Sequence, residues 1–300
     1  MKLAYYKAPK GNFGDDLNPW LWEKLLDLSK MEEESYFLGI GSILHGSNKL
    51  INSIPANSKK IVFGTGIRPN HTPIAVDKTW DIKFLRGPLS SAYLGNGNPY
   101  ISDAAYALCL TEEYDRLINL PKKHNISIMP YYRSCEIYDW EKISEQLGFN
   151  YISPLSEEGV LHTMEEIASS KFVITEAMHG AILADILRVP WHRFIFTTPF
   201  TEGSGIAEFK WMDWLQTIDM KQSSPSIVPF LNDKGLLNKA LRKLGNNQLV
   251  INSFKKSNTR ELLIDNLAEP KDYRLSTDSK IDTIKNQFHD QIESLRSTMS

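Results

Sequence analysis

Short apolar runs alternate with helical stretches over the first two-thirds of this 300-residue chain, and a glycine, proline or aspartate closes most of the runs. Those two observations predict an α/β protein with parallel strands, because a parallel connection needs a crossover long enough to hold a helix. A third is the restart of the same pattern after a polar stretch, Thr111–Lys123, that carries Pro121. The break predicts two α/β units of ordinary domain size, 1–120 and 121–222, followed by a helical tail, 223–300.

Taken in order, Leu3–Tyr6 is the first expected strand, and a loop rich in Gly, Asn and Asp follows it. Asn18 then Pro19 predicts a helix start, with Asn as the cap and Pro at the first helical position, where a missing N–H costs nothing. Further strands are expected at Ser35–Leu38, Lys60–Phe63, Asp81–Leu85 and Tyr100–Ile101. Beyond the break, Asn125–Met129 reads as a strand stopped by Pro130, Asp139 as the cap of a helix to Leu147, and Tyr151–Ile152 as a strand. Thr163-Met164-Glu165-Glu166 spells a capping box that would open a helix. Phe172–Thr175 and Trp191–Phe196 are the last strands, flanking a helix from His179 to Arg188 that is apolar on most sides and therefore buried between layers. In the tail, Ile281, Ile284, Phe288, Ile292, Leu295 and Met299 recur at spacings of three and four. That stripe predicts an amphipathic helix packed on its own protein or on a partner helix, and with it a homo-oligomer through this helix.

Composition narrows the function classes. A chain 42% hydrophobic and 23% charged has the material for real cores and is not a disordered one. With 34 Lys and Arg against 36 Asp and Glu, the net charge of -2 argues against a protein that coats nucleic acid. Cys109 and Cys135 lack metal-ligand or CxxC spacing and read as reduced thiols. No apolar run approaches a membrane span, and Lys2 is followed by no apolar signal segment. A cytoplasmic protein with no transmembrane segment is the expectation.

Chemistry is expected where strands end. Gly39-Ile40-Gly41-Ser42, Gly64-Thr65-Gly66, Arg86-Gly87-Pro88 and Ser102-Asp103 each follow an apolar run. In open α/β sheets ligands bind beyond the carboxyl ends of strands, where glycine lets an anion approach backbone amides. One such pair is an ordinary tight turn; four in succession point to a crevice. The densest group is Thr175-Glu176-Ala177-Met178-His179-Gly180-Ala181. His179 there sits at a helix start, where imidazole can move protons near neutral pH or simply cap the helix. Asn12 and Asp15, in Gly11-Asn12-Phe13-Gly14-Asp15-Asp16, suit sugar hydroxyls or an Asx turn. Arg86, Arg133, Arg193 and Lys210 are the candidate cations for an anionic ligand. No Walker loop, zinc spacing or nucleophile elbow is present, and Asp15-Asp16 alone do not make a metal site.

Taken together, the chain resembles the polysaccharide pyruvyl transferase family. The resemblance rests on Asn12-Phe13-Gly14-Asp15, the strand-end loops above, Ile128-Met129-Pro130, Met178-His179-Gly180 with Ala184 and Pro190, and Phe209-Lys210-Trp211, in family order over roughly residues 1–215. It implies two Rossmann-like domains facing each other across a glycosyltransferase-B-like cleft. It also implies transfer of the pyruvyl group of phosphoenolpyruvate to two hydroxyls of one sugar, leaving a ketal and releasing phosphate, with no cofactor. His179 matches the catalytic histidine, with Asp103 or Glu176 to orient it or to help deprotonate a hydroxyl. Arg86, Arg133 and Lys210, helped by Gly41, Gly66 and Gly180, would hold the donor, and Asn12 and Asp15 the acceptor. That acceptor is a sugar or a lipid-linked oligosaccharide, the latter met at the inner face of the membrane. Two departures stand out: Ala177 and Tyr131 occupy places where many members have arginine and histidine, so Arg133 or Arg193 would substitute. Two other readings compete. Glu176-Ala177-Met178 followed by Pro190 is similar to the ribose-binding segment of nucleotide-sugar glycosyltransferases, and the tail could make the chain a non-catalytic scaffold.

Overall fold

The computed structural model describes residues 1–30, 34–95, 97–220, 224–228, 259–269 and 271–298. It is a mixed α/β structure with two sheets, and every strand pairing within them is parallel. The first sheet keeps chain order, β1 (Lys2–Leu3), β2 (Tyr36–Leu38), β3 (Lys60–Phe63) and β4 (Trp80–Phe84). The second holds β5 (His124–Met129), β6 (Asn150–Tyr151), β7 (Ser170–Thr175), β8 (Trp191–Ile195) and β9 (Ser226–Ile227), in the order β6-β5-β7-β8-β9. The chain therefore leaves β5 to one side for β6 and returns to the other for β7. Connections diverge at the carboxyl ends of β5 and β7, which opens a crevice there.

The helices that frame this crevice are α1 (Phe13–Leu25), α2 (Val160–Ala168), α3 (Met178–Ile186), α4 (Ser204–Leu215) and α5 (Asp278–Ser297). Helix α1 begins six residues before the expected start, with Asn12 at the cap position but no side-chain cap bond, and with Pro19 inside it. Proline has no N–H for the carbonyl four residues back. The Asn18 side chain replaces it: its Nδ2 donates to Asp15 O (3.1 Å) and to Ile40 O (3.0 Å). Its Oδ1 accepts from Ile40 N and from the Trp22 indole. An asparagine-proline pair that looks like a helix start is thus an interior repair that also ties α1 to the loop after β2. Helix α2 likewise starts before the expected capping box, at Gly159 (φ 93°), and Thr163 lies inside it with Oγ1 bonded back to Gly159 O. Asp139, in contrast, caps Trp140–Leu147 as expected by accepting from Lys142 N.

One apolar core runs through both halves. Phe37, Phe63 and Phe84 from the first sheet share it with Val173, Trp191 and Trp214 of the second half and with the nearly all-buried α3. The polar stretch expected to separate the halves is a helix, Glu113–Ile118, whose Tyr114 and Leu117 enter that core. The C-terminal residues also belong to it. Leu263 and Leu267 pack under β5 and β8 with Ile128 and Phe194. Asp185 then accepts from Ser276 N and Oγ (2.8 and 2.6 Å), and α5 returns to the first sheet. There the Phe288 ring lies 5.0 Å from Phe84 and 6.2 Å from Phe63. The stripe of Ile281, Ile284, Phe288, Ile292 and Leu295 is therefore covered by the chain's own core, which removes the apolar face that predicted a homo-oligomer. Met299 and much of the expected tail lie outside the described residues.

Phe288→Ala should cost about 3–5 kcal/mol through the cavity it leaves, whereas Ser294→Ala on the exposed side of α5 should stay within about 0.5 kcal/mol. Equilibrium urea unfolding of the two variants checks this, and equal stabilities would show that α5 is not part of the core.

Candidate active site

A cavity of about 400 Å³ opens at the carboxyl ends of strands from both sheets. Its walls come from the loop after β1 and the start of α1 (Tyr6, Asn12–Asp15), the loops after β2 and β3 (Gly41, Ser42, Arg68), and the loops after β5 and β7 (Tyr131–Arg133, Ala177–His179). Lys210 of α4 and Glu202 of the π-helical turn Pro199–Gly203 complete them.

His179 is the second residue of α3, and its ring is held from two sides. Its Nε2 is buried and stands 3.6 Å from Asp103 Oδ1, longer than an ordinary hydrogen bond. Asp103 is fully buried at the start of the 3-10 helix Ala104–Leu110 and accepts from Ala105 N at 3.1 Å. Burial pushes its carboxyl up, but the imidazole and the Arg86 guanidinium outweigh that and hold it below the usual carboxylate range. Neither His179 Nε2 nor Asp103 Oδ2 has a hydrogen-bond partner. A proton on Nε2 therefore has an ionised carboxylate to face, and Nδ1 lies beside Gly14. Gly14 is demanded by this contact, since a Cβ at that position would stand 2.0 Å from Nδ1.

Asp15 lies on the same wall, nearly buried, with Asn12 Nδ2 donating to its Oδ2. Burial pushes its carboxyl up to about 6, against the opposing pull of His179, Asn12 and Lys210. Four cations border the cavity, Lys49, Arg68, Arg133 and Lys210. Arg133 donates from Nη1 to Thr201 O and from Nε to Tyr132 OH, both at 2.9 Å. Lys210 Nζ is 2.8 Å from Glu202 Oε1, and Arg68 Nη1 is 3.6 Å from the same carboxylate oxygen. His45, also at the wall, is pushed down to about 4 by burial and by the neighbouring His71 and Arg68, so it stands neutral.

The structure thus brings together His179, Asp103, Arg133, Lys210, Gly41, Asn12 and Asp15. It moves the other expected residues elsewhere. Arg86 is fully buried; its Nε donates to Asp213 Oδ2 (3.0 Å) and its Nη1 to Ser42 Oγ (2.6 Å). Gly66 lies flat on that guanidinium, where a Cβ would meet Cζ at 2.3 Å. Both therefore join loops of the protein and neither borders the cavity. Arg193 is buried too, paired through both terminal nitrogens with Glu208 and stacked 4.4 Å from the Trp211 ring centroid. Glu176 accepts from the N–H groups of Phe196, Thr197 and Thr198 and from Thr197 Oγ1. Those bonds fix the chain entering the π-helical turn and occupy the Glu176 carboxylate. Gly180 gives its N–H to Ala177 O, and its missing side chain is required by Thr175 and Met129, which a Cβ would strike at 2.5 and 2.8 Å. Sequence reasoning missed Arg68 and Glu202. Arg68 follows the Gly64-Thr65-Gly66 loop at a strand end, the same signal that singled out Arg86; Glu202 carried none.

No group of three or more His, Cys, Asp and Glu among the described residues could hold a metal ion. No helix among them is long and apolar enough to cross a membrane.

The model of the family described as polysaccharide pyruvyl transferase matches residues 3–195, from β1 to the end of β8. The chain belongs to that family. The match takes in Asn12, Asp15, Asp103, Arg133 and His179, and it stops before Glu202 and Lys210. The chain is similar to the succinoglycan biosynthesis protein ExoV of Rhizobium meliloti, 36% identical over 221 residues, which is 73% of this chain and 65% of that relative. Among solved structures, an uncharacterised protein of Klebsiella pneumoniae matches at 16% identity and a TM-score of 0.40, over 77% of this chain and 93% of that one. The wall teichoic acid polymerase TagF matches at 12% identity and a TM-score of 0.37, over 98% and 89%.

Asp15 gives this family member a pH signature. Its carboxyl rises from 3.8 to about 6 on folding, so between those values the folded state holds more protons than the unfolded one. Its contribution to stability therefore grows as pH falls through that window and is unfavourable above it. Asp15→Asn should be more stable than wild type at pH 7 to 8 and lose that advantage as pH approaches 4, read by urea unfolding across the range; a constant difference would contradict the assignment.

Proposed function

We propose that this chain transfers the pyruvyl group of phosphoenolpyruvate to two hydroxyls of one sugar of a polysaccharide or its precursor, forming a ketal and releasing phosphate. The observation that carries this reading is a single cavity bordered by His179 with its buried carboxylate, a second carboxylate of raised proton affinity, and four cations. Family membership and the relative named for succinoglycan biosynthesis support the same chemistry and a glycan acceptor.

The reaction moves protons in both of its steps. In the first step an acceptor hydroxyl oxygen bonds to C2 of the enol and gives up its proton to a base of the site, while C3 takes a proton from an acid and becomes a methyl group. In the second, the other hydroxyl bonds to C2, the C2–O bond to phosphate breaks, and the hydroxyl proton leaves with the phosphate. His179 suits the first as the acid at C3 from Nδ1, with Asp103 stabilising the imidazolium. Asp15, nearly half protonated near pH 6, suits the hydroxyl side, with Asn12 beside it. Arg68, Arg133 and Lys210 suit the donor carboxylate and the charge that grows on phosphate as it departs. They also answer the absence of cations at Ala177 and Tyr131. None of these steps calls for a cofactor or a metal ion. A cleft between two Rossmann-like halves, with donor on the β5 and β7 side and acceptor on the α1 side, belongs to this reading.

The competing readings lose their motivating residues. A nucleotide-sugar transferase would need Glu176 free for a ribose, and its carboxylate already takes three backbone N–H groups. A scaffold acting through its tail would need the α5 stripe, which is buried in the core.

Replacing His179 with Gln should lower phosphate release from phosphoenolpyruvate and a glycan acceptor by about 10²–10⁴-fold, while phosphoenolpyruvate still raises the melting temperature. Turnover near the wild-type rate, or stabilisation by nucleotide sugars in place of phosphoenolpyruvate, would overturn the proposal.

A further inference from the structure

Three of the four cations of the cavity wall come from separate parts of the chain and converge on one short turn. Arg133, after β5, binds the carbonyl of Thr201, while Lys210 of α4 and Arg68, after β3, face the carboxylate of Glu202. The Glu202 side chain is only 8% exposed, yet it borders the cavity. Burial alone would favour its neutral form; Lys210, Arg68 and Arg133 reverse that and keep the carboxyl below its usual range. The turn that carries it is π-helical, a geometry frequent at functional sites. Its entry is fixed by Glu176 through the N–H groups of residues 196–198, and its exit is Gly203 at φ 99°. An ionised carboxylate thus sits, pre-bound, on the cations that an anionic ligand would need.

We infer that Glu202 occupies the seat of a substrate's anionic group and so sets the charge a ligand must bring to enter. This rests on the reading of the donor as an anion with two charged groups. A ligand with one carboxylate, such as pyruvate, exchanges one carboxylate for another at Lys210 and Arg68 and gains little. Inorganic phosphate lacks a second group to reach the remaining cation. A ligand that joins a carboxylate to a phosphate replaces Glu202 and still has a charged group for Arg133. Glu202 is then a specificity residue that works by repulsion, rejecting the fragments and products of the donor more strongly than the donor itself. A carboxylate that merely held the cations in place would have the opposite effect on removal, so the sign of one measurement separates the two.

The test is calorimetric titration of wild type and Glu202→Gln with phosphoenolpyruvate, pyruvate and inorganic phosphate, at one pH and ionic strength. The variant should bind pyruvate and phosphate about tenfold or more tightly than wild type, with a smaller gain for phosphoenolpyruvate, so that discrimination narrows. Unchanged or weaker binding of pyruvate and phosphate by the variant would sink the inference. If wild type does not bind phosphoenolpyruvate but the variant gains on the other two, the donor reading falls and the role of Glu202 stands. If wild type binds phosphoenolpyruvate and the variant gains on neither of the others, only the role of Glu202 falls. Glu202→Ala gives a second measurement: free acetate should refill the vacated seat and raise the melting temperature of the variant but not of wild type, and no rise would count against the proposal.

Discussion

The ion pair between Arg86 and Asp213 is the contact on which the cavity depends. Both side chains are fully buried, and 127 residues of sequence separate them. Asp213 lies in α4, one turn beyond Lys210, and its carboxylate also accepts from Ser90 N and Oγ. Arg86 reaches on to Ser42 Oγ in the loop after β2 and lies against Gly66 in the loop after β3. The pair therefore fixes α4, which belongs to the second half, on loops of the first sheet. Desolvating both charges is costly, and removing either would strand the other at about 3–5 kcal/mol. What the pair contributes beyond stability is position: with Asp213 pinned to Arg86, Lys210 is held where it shares the Glu202 carboxylate with Arg68.

The same economy governs glycine at this site. Gly66 and Gly87 let backbone approach the ion pair; a Cβ at Gly87 would stand 2.1 Å from Asp213 O. Gly14 lets α1 approach the imidazole. The strand-end glycines that look in sequence like anion cradles are mostly places where protein meets protein. In the proposed reaction the anion chemistry falls instead to side chains that reach the cavity from the loops after β3 and β5 and from α4.

This explains what could be read from the sequence and what could not. Lys60–Phe63 was legible as a strand because a buried parallel strand is a short apolar run. His179 was legible because it follows an apolar strand and opens an apolar helix, a local arrangement complete within a dozen residues. Asn18-Pro19 misled because its local pattern is that of a helix start, while the bonds that make it an interior pair run to Ile40, 22 residues away. Arg86, Arg193 and Glu176 misled for the same reason. Whether a charged residue faces a ligand or a buried partner is decided by residues that only the fold brings near. Arg68 shared the signal of Arg86, and the partner of each, not its own context, divides them into one lining residue and one core residue.

Three carboxylates around one cavity end with three different tasks because their surroundings differ. Asp103 has no exposure but faces an imidazole and a guanidinium, so it stays ionised and acts as a fixed negative charge behind His179. Glu202 is nearly as buried but faces three cations, so it too stays ionised, on the cavity side. Asp15 is nearly buried against a single neutralisable ring and one more distant lysine, and burial wins, leaving its proton exchangeable near pH 6. The proposed transfer, which moves protons and holds a donor with two anionic groups, needs groups of both kinds, some with fixed charge and some able to change it. Here the number of cations facing each carboxylate, set by loops that the Arg86–Asp213 pair locks together, decides which is which.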